Sequence, residues 1–131
     1  QHYPICMNYW KSFLHALEGF GHALRTQRNV ATFTIVYLAS LLAGNILHIP
    51  LHDWPILVFS GAAFLAVELL NTALEQFVDA FQSHTSKEDD WYYEHLKATK
   101  DVAAGASLVI VLGWIAVLAF TFLPYVPAFV L

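Results

Sequence analysis

Residues 55–81, PILVFSGAAFLAVELLNTALEQFVDAF, decide how this chain folds. The run is apolar up to Val67 apart from Ser60, and then carries Glu68, Asn71, Thr72, Glu75 and Asp79 among Leu, Ala, Phe, Val and Gln76. Offsets of 0, 3, 4, 7 and 11 place those five side chains on one face of an α-helix. A hydrocarbon core about 30 Å thick needs about 20 residues of helix, so the run is long enough to cross a membrane. Each carboxylate in a spanning segment costs roughly 2.5–3.5 kcal/mol on insertion scales, so three kept on a single stripe mark that stripe as the working face of the protein.

Two further runs, 30–49 and 102–123, are also long and apolar enough to span. Of 131 residues, 58% are hydrophobic and 12% charged, with a mean hydropathy of +0.55. That places the chain outside the usual soluble range. The expected fold is an all-α membrane protein, one integral domain over residues 1–131, with three spans at 30–49, 55–81 and 102–123. Three spans bury little of a polar stripe, so association of several copies is expected. A net charge of −4 gives no basis for a nucleic-acid partner. Glu88, Asp89, Asp90 and Glu94 form an acidic cluster that reads as a solvated loop. Cys6 stands alone, so one chain builds neither a disulfide nor a thiolate metal site. The segment before the first span lacks the basic start, short apolar run and small-residue cleavage site of a removable leader, and none is expected.

Lys and Arg near span ends stay on the cytoplasmic side. Lys11, Arg25 and Arg28 precede the first span, and Lys87, Lys97 and Lys100 lie between the second and third, whereas the 50–54 connection and the tail after Thr121 have none. The amino terminus and the 82–100 loop are therefore expected in the cytoplasm. Ahead of the first span, Phe13, Leu14, Leu17, Phe20, Gly21 and Leu24 recur at helical spacing, with Lys11, His15, Glu18, His22 and Arg25 between them. This predicts an amphipathic helix at the membrane surface over about 11–28. Trp10, Trp54, Trp91 and Tyr125 fall near span ends, as an aromatic belt does.

Seven residues at 1.5 Å rise put Glu68 about 10 Å deeper than Glu75, with Asp79 about 6 Å nearer the cytoplasm again. Oxygen ligands near the cytoplasmic surface suit a hard cation such as Mg²⁺, which takes few carboxylates and shares its shell with phosphates. The deeper carboxylate, in a poorer dielectric, is placed to accept a proton. A base at interface depth beside a metal–phosphate site describes phosphoryl transfer to the hydroxyl of a lipid headgroup. At the start of the third span, Lys100 can meet phosphate as a point charge, and Asp101 can pair with it, orient an amide or accept a hydrogen bond from Asn71. Val102, Ala103, Ala104, Gly105, Ala106 and Ser107 are small enough for another helix to come close. The histidines form no cluster with catalytic logic.

The segment ELLNTALE at 68–75, followed by Val78 and Asp79 and then KATKDVAAGA at 97–106, resembles the prokaryotic diacylglycerol kinase and undecaprenol kinase family. Lys11, Ser12, Phe13, Ala16, Gly19 and the run from Arg25 through Thr26, Gln27 and Arg28 to Asn29 look closer to the undecaprenol kinase branch. The resemblance extends from about Lys11 to Pro124. It implies a homotrimer of three-span protomers, each with a surface helix, in a bacterial cytoplasmic membrane. It also implies composite active sites that use MgATP without a Gly-rich loop. By position, Glu68 resembles the family's catalytic base, Glu75 its metal-binding carboxylate, and Asn71, Asp79, Lys100 and Asp101 its polar set. At Gln27 the family carries a second metal-binding Glu, for which an amide supplies oxygen without charge. The 82–96 connection is longer than usual in the family. An ungapped count puts Trp91, Tyr92 and Tyr93 at its nucleotide-contacting positions, and matching by residue type puts Glu94 and His95 there.

The expected function is ATP-dependent phosphorylation of a membrane lipid alcohol, undecaprenol ahead of diacylglycerol. The competing class is a non-catalytic membrane protein whose protonated carboxylates bond between protomers or conduct protons. Glue of that kind does not account for carboxylates graded toward the basic face.

Overall fold

The structure, a computed structural model, describes residues 9–84 and 90–126. Four α-helices follow one another: α1 (Tyr9–Thr26), α2 (Arg28–Ile46), α3 (Trp54–His84) and α4 (Asp90–Phe122), with a 3-10 turn at Leu123–Tyr125. α2, α3 and α4 are each long and apolar enough to cross a membrane.

The break between α1 and α2 is a single residue. Gln27 adopts extended backbone (φ −116, ψ 109). Its N–H still closes α1 by donating to the Ala23 carbonyl at 2.8 Å, while its own carbonyl accepts from the Ala31 N–H at 3.2 Å and opens α2. These two bonds carry backbone pairing across the break, as an apolar surrounding favours. A helix expected over about 11–28 runs here from Tyr9 to Thr26, and Ala23 is its buried residue.

α2 ends in a Schellman closure. His48 takes the left-handed conformation (φ 53). The Ile49 N–H reaches back to the Gly44 carbonyl at 3.1 Å, and the His48 N–H reaches the Asn45 carbonyl at 3.2 Å. Ile49 then folds onto Gly44, where Trp54 and Leu57 also press close. This closure, with Pro50 just beyond it, stops the helix at residue 46, whereas hydropathy alone carries the first span to 49.

α3 and α4 form the main hairpin. At one end the Lys100 ammonium donates to the Asp79 carboxylate at 2.8 Å. At the other, the Phe64 and Trp114 rings stack with centroids 4.9 Å apart. Those pairs lie fifteen residues apart on α3 and fourteen on α4, so the two helices run antiparallel with almost no slip between them. α2 crosses α3 at Gly61, where any Cβ would overlap the Tyr37 ring, and the Tyr37 hydroxyl donates to the Val58 carbonyl at 2.9 Å. Phe33 meets Phe64 edge-on at 4.7 Å, and Tyr37 meets Trp114 in the same way at 6.3 Å. The core is therefore an aromatic knot at the crossing of α2, α3 and α4. Outside it, Ile35, Leu38, Leu42 and Ile46 on α2 and Val102, Val109, Leu112, Ile115 and Phe120 on α4 are exposed. Surfaces of that kind are stable against lipid tails and not against water.

The second and third spans are longer helices than their apolar runs. α3 reaches His84, three residues beyond 81, and α4 begins at Asp90, twelve residues before 102. At 1.5 Å per residue they measure about 46 and 50 Å, well past a core of about 30 Å. The 82–96 connection expected as a loop is thus helical over 82–84 and 90–96, and Glu88 and Asp89 lie outside the described residues. Hydropathy marks where lipid ends, but an α-helix continues wherever its backbone bonds continue, and polar turns in water keep it intact.

Candidate functional site

The hairpin register lines up the polar stripe of α3 with small residues of α4. Glu68, Asn71 and Glu75 open onto a cleft of about 260 Å³ that α4 borders with Ala104, Ser107, Leu108 and Val111, and α2 with Asn29 and Phe33. Phe64, 1% exposed, closes the apolar end beneath Glu68.

Burial grades along the stripe. Glu68 is 5% exposed, Thr72 6% and Asn71 9%, Glu75 is half-buried and Asp79 is exposed. The Asn71 amide donates to Glu75 Oε1 at 3.2 Å, one turn along the same face. Asn71 Oδ1, by contrast, is buried with no hydrogen-bond partner, and so is Ser107 Oγ across the cleft. Unpaired buried polar atoms are rare because each one costs about 1–3 kcal/mol. Both residues line the cleft.

Lys100 stands one turn beyond Ala104 on the same face of α4, and its bond to Asp79 brings a cation to the exposed end of the stripe. The contacts open to Asp101 are made by other residues within the chain. Lys100 pairs with Asp79, Asn71 bonds Glu75, and Asp101 is exposed and outside the cleft lining. The reason is helical phase, since Asp101 points about 100° away from Lys100 around α4. Gln27 is half-buried at the α1–α2 break and makes no side-chain cap. The polar α2 residue on the cleft wall is Asn29. Glu94 and His95 are exposed on α4, more than a turn beyond Lys100, and Glu18 pairs with His15 at 3.3 Å on α1. Asn29 and Ser107 are the polar cleft residues that sequence reasoning did not assign to the site. The signal for Ser107 was present, because it lies seven residues from Lys100 and therefore on the same face of α4.

The donor set tests the fit of Mg²⁺. Among the described residues no group of three or more His, Cys, Asp or Glu side chains gathers into a metal cage. The cleft instead offers hard oxygens, from the Glu75 carboxylate and the unpaired Asn71 Oδ1. A partial all-oxygen shell fits Mg²⁺, which holds one or two carboxylates and completes its octahedron with phosphate and water.

Three long apolar helices around a cleft that holds a buried carboxylate, with an ion pair beyond it, define an all-helical protein of the membrane class. Residues 14–122 match the family model for prokaryotic diacylglycerol kinase. The chain is 34% identical over 113 residues to the diacylglycerol kinase of Synechocystis sp. (strain ATCC 27184 / PCC 6803 / Kazusa), covering 81% of this chain and 61% of that relative. It is also 34% identical over 101 residues to the undecaprenol kinase of Bacillus subtilis (strain 168), covering 77% of this chain and 76% of that one. It belongs to the prokaryotic diacylglycerol kinase family, a family of lipid kinases. The match spans less than two thirds of the Synechocystis relative's length.

Proposed function

We propose that the cleft transfers the γ-phosphoryl group of ATP to the hydroxyl of a membrane lipid alcohol, with undecaprenol favoured over diacylglycerol. The observation that carries this is the placement of a buried carboxylate, Glu68, in the same cleft as Glu75, about 10 Å along α3, with the Lys100–Asp79 pair beyond. A lipid hydroxyl reaches the buried end from the membrane, and a nucleotide reaches the exposed end from water.

In the reaction, Glu68 takes the proton of the acceptor hydroxyl while that oxygen bonds to the γ-phosphorus. The bond from the γ-phosphorus to the bridging oxygen breaks, and ADP leaves with its electron pair. Lys100, oriented by Asp79, meets the phosphates as a point charge. Asn71 holds the Glu75 carboxylate through its amide, and its own buried oxygen has no hydrogen-bond partner within the chain. Glu75 and Asn71 Oδ1 are the groups that would hold Mg²⁺, with Gln27 as the position the family resemblance adds. When bound, the metal neutralises phosphate charge as the leaving group departs. The aromatic floor at Phe64 and Phe33 keeps water from the base end, so the lipid hydroxyl rather than water receives the phosphoryl group. No Gly-rich loop is required, because phosphoryl transfer depends on positioning and charge.

Glu94 and His95 serve as nucleotide contacts on the projecting turns of α4, and Asp101 acts from outside the cleft on the same side. The amino terminus and the α3–α4 connection face the cytoplasm, where Lys11, Arg25, Arg28, Lys97 and Lys100 collect. α1 lies on the membrane surface. Protomers associate as a trimer, which covers apolar and small-residue surface that one protomer leaves exposed. The test is reconstitution of the purified protein in lipid vesicles with MgATP and either undecaprenol or diacylglycerol. Phosphorylated undecaprenol is the expected main product, and absence of product from both alcohols overturns the reading.

A further inference from the structure

We infer that the Ser107 hydroxyl holds the oxygen of the acceptor alcohol in the cleft, an inference that rests on the phosphoryl-transfer reading above. Serine and threonine hydroxyls on apolar helices usually donate to a carbonyl three or four residues back on their own helix. Thr26, Thr34, Ser40, Ser60, Ser83 and Thr99 all do so here. Ser107 does not, and its Oγ is buried without a partner beside the cleft.

The unpaired atom across the cleft, Asn71 Oδ1, is an acceptor only, whereas a serine hydroxyl both donates and accepts. A single alcohol oxygen placed between α3 and α4 answers both sides. It accepts the Ser107 proton and directs its own proton to an acceptor on α3, either Asn71 Oδ1 or the Glu68 carboxylate. The hairpin register adds the depth. Counting along from the Asp79–Lys100 pair, Ser107 faces the stretch at Asn71 and Thr72, one turn from Glu68 toward Glu75. An oxygen held there lies between the base and the phosphate end, where the attacking atom has to be. One lone pair of that oxygen takes the Ser107 hydrogen bond and the other remains for the γ-phosphorus. Ser107 is therefore a positioning residue, and its removal loosens the lipid alcohol without disturbing the nucleotide.

The experiment is Ser107→Ala in the full chain, reconstituted in lipid, with initial rates measured against undecaprenol and against MgATP. Loss of one hydrogen bond predicts a rise of roughly 3- to 10-fold in KM for the alcohol, an unchanged KM for MgATP, and a thermal midpoint in detergent equal to or above the wild-type value, since no internal bond is lost. A second arm, without nucleotide, follows stabilisation of the protein by added undecaprenol, and the variant should need correspondingly more alcohol for the same shift. An unchanged KM for the alcohol in Ser107→Ala overturns the inference while leaving the kinase reading intact. A fall in thermal midpoint or loss of the oligomer also overturns it, because the hydroxyl would then be a structural bond between protomers. If wild-type protein makes no product, yet undecaprenol stabilises it and Ser107→Ala weakens that effect, the kinase reading falls and the alcohol site stands.

Discussion

Glu68→Gln is the sharpest test of the cleft. The substitution keeps the side chain's shape and removes its ability to take a proton. Glu68 is only 5% exposed, so bulk water has no route to replace it as base, and Glu75 lies about 10 Å away along α3, too far to stand in. General-base catalysis contributes about 10²–10⁴ in rate, which corresponds to about 2.7–5.5 kcal/mol of barrier at 1.36 kcal/mol per tenfold. Turnover of the lipid alcohol in vesicles should fall by that factor. ATP binding at the other end of the cleft should be unchanged. Because an amide at a buried site is no costlier than a carboxylate, the thermal midpoint should hold, which separates lost chemistry from lost fold. Glu68→Asp makes a second comparison. It keeps the carboxylate but withdraws it by one methylene, beyond the 2.6–3.2 Å reach a base needs, so it should also be slow. A Glu68→Gln protein that keeps more than a tenth of wild-type turnover refutes the assignment.

Glu75→Ala should raise the Mg²⁺ concentration for half-maximal activity and weaken MgATP binding together, and an unchanged Mg²⁺ titration would leave Glu75 as a partner of Asn71 only. Gly61→Ala should destabilise the protein in detergent by about 1–3 kcal/mol, because its Cβ overlaps the Tyr37 ring. Adding Tyr37→Ala should then recover part of the loss, and no recovery would mean that the α2–α3 crossing does not depend on that contact. Gln27→Glu adds a charge at the α1–α2 break and should lower the Mg²⁺ requirement if that side chain reaches the metal. No gain in metal affinity would leave Asn29 as the residue through which α2 contacts the site.

The three long apolar helices and the polar stripe on the second of them were both legible along the chain, because a lipid core selects for apolar length and penalises each charge within it. Spans centred on 30–49, 55–81 and 102–123 correspond to α2, α3 and α4, and Glu68, Asn71 and Glu75 do meet on one cleft wall. Helix ends were not legible, since they follow from backbone closure at Gln27 and His48 and from polar turns that continue past the bilayer. Periodicity orders residues around one helix but is silent on which residue of the next helix faces them. Only the α3–α4 register could set Lys100 against Asp79 instead of Asp101, and only the α2 crossing at Gly61 and Phe64 brought Asn29 to the cleft. The same register turned Ser107 from one more small residue of a packing face into an unpaired hydroxyl opposite Asn71. Pairings between helices depend on side-chain volumes at a few crossing points, and a one-residue shift along α4 would rotate its facing side by about 100°.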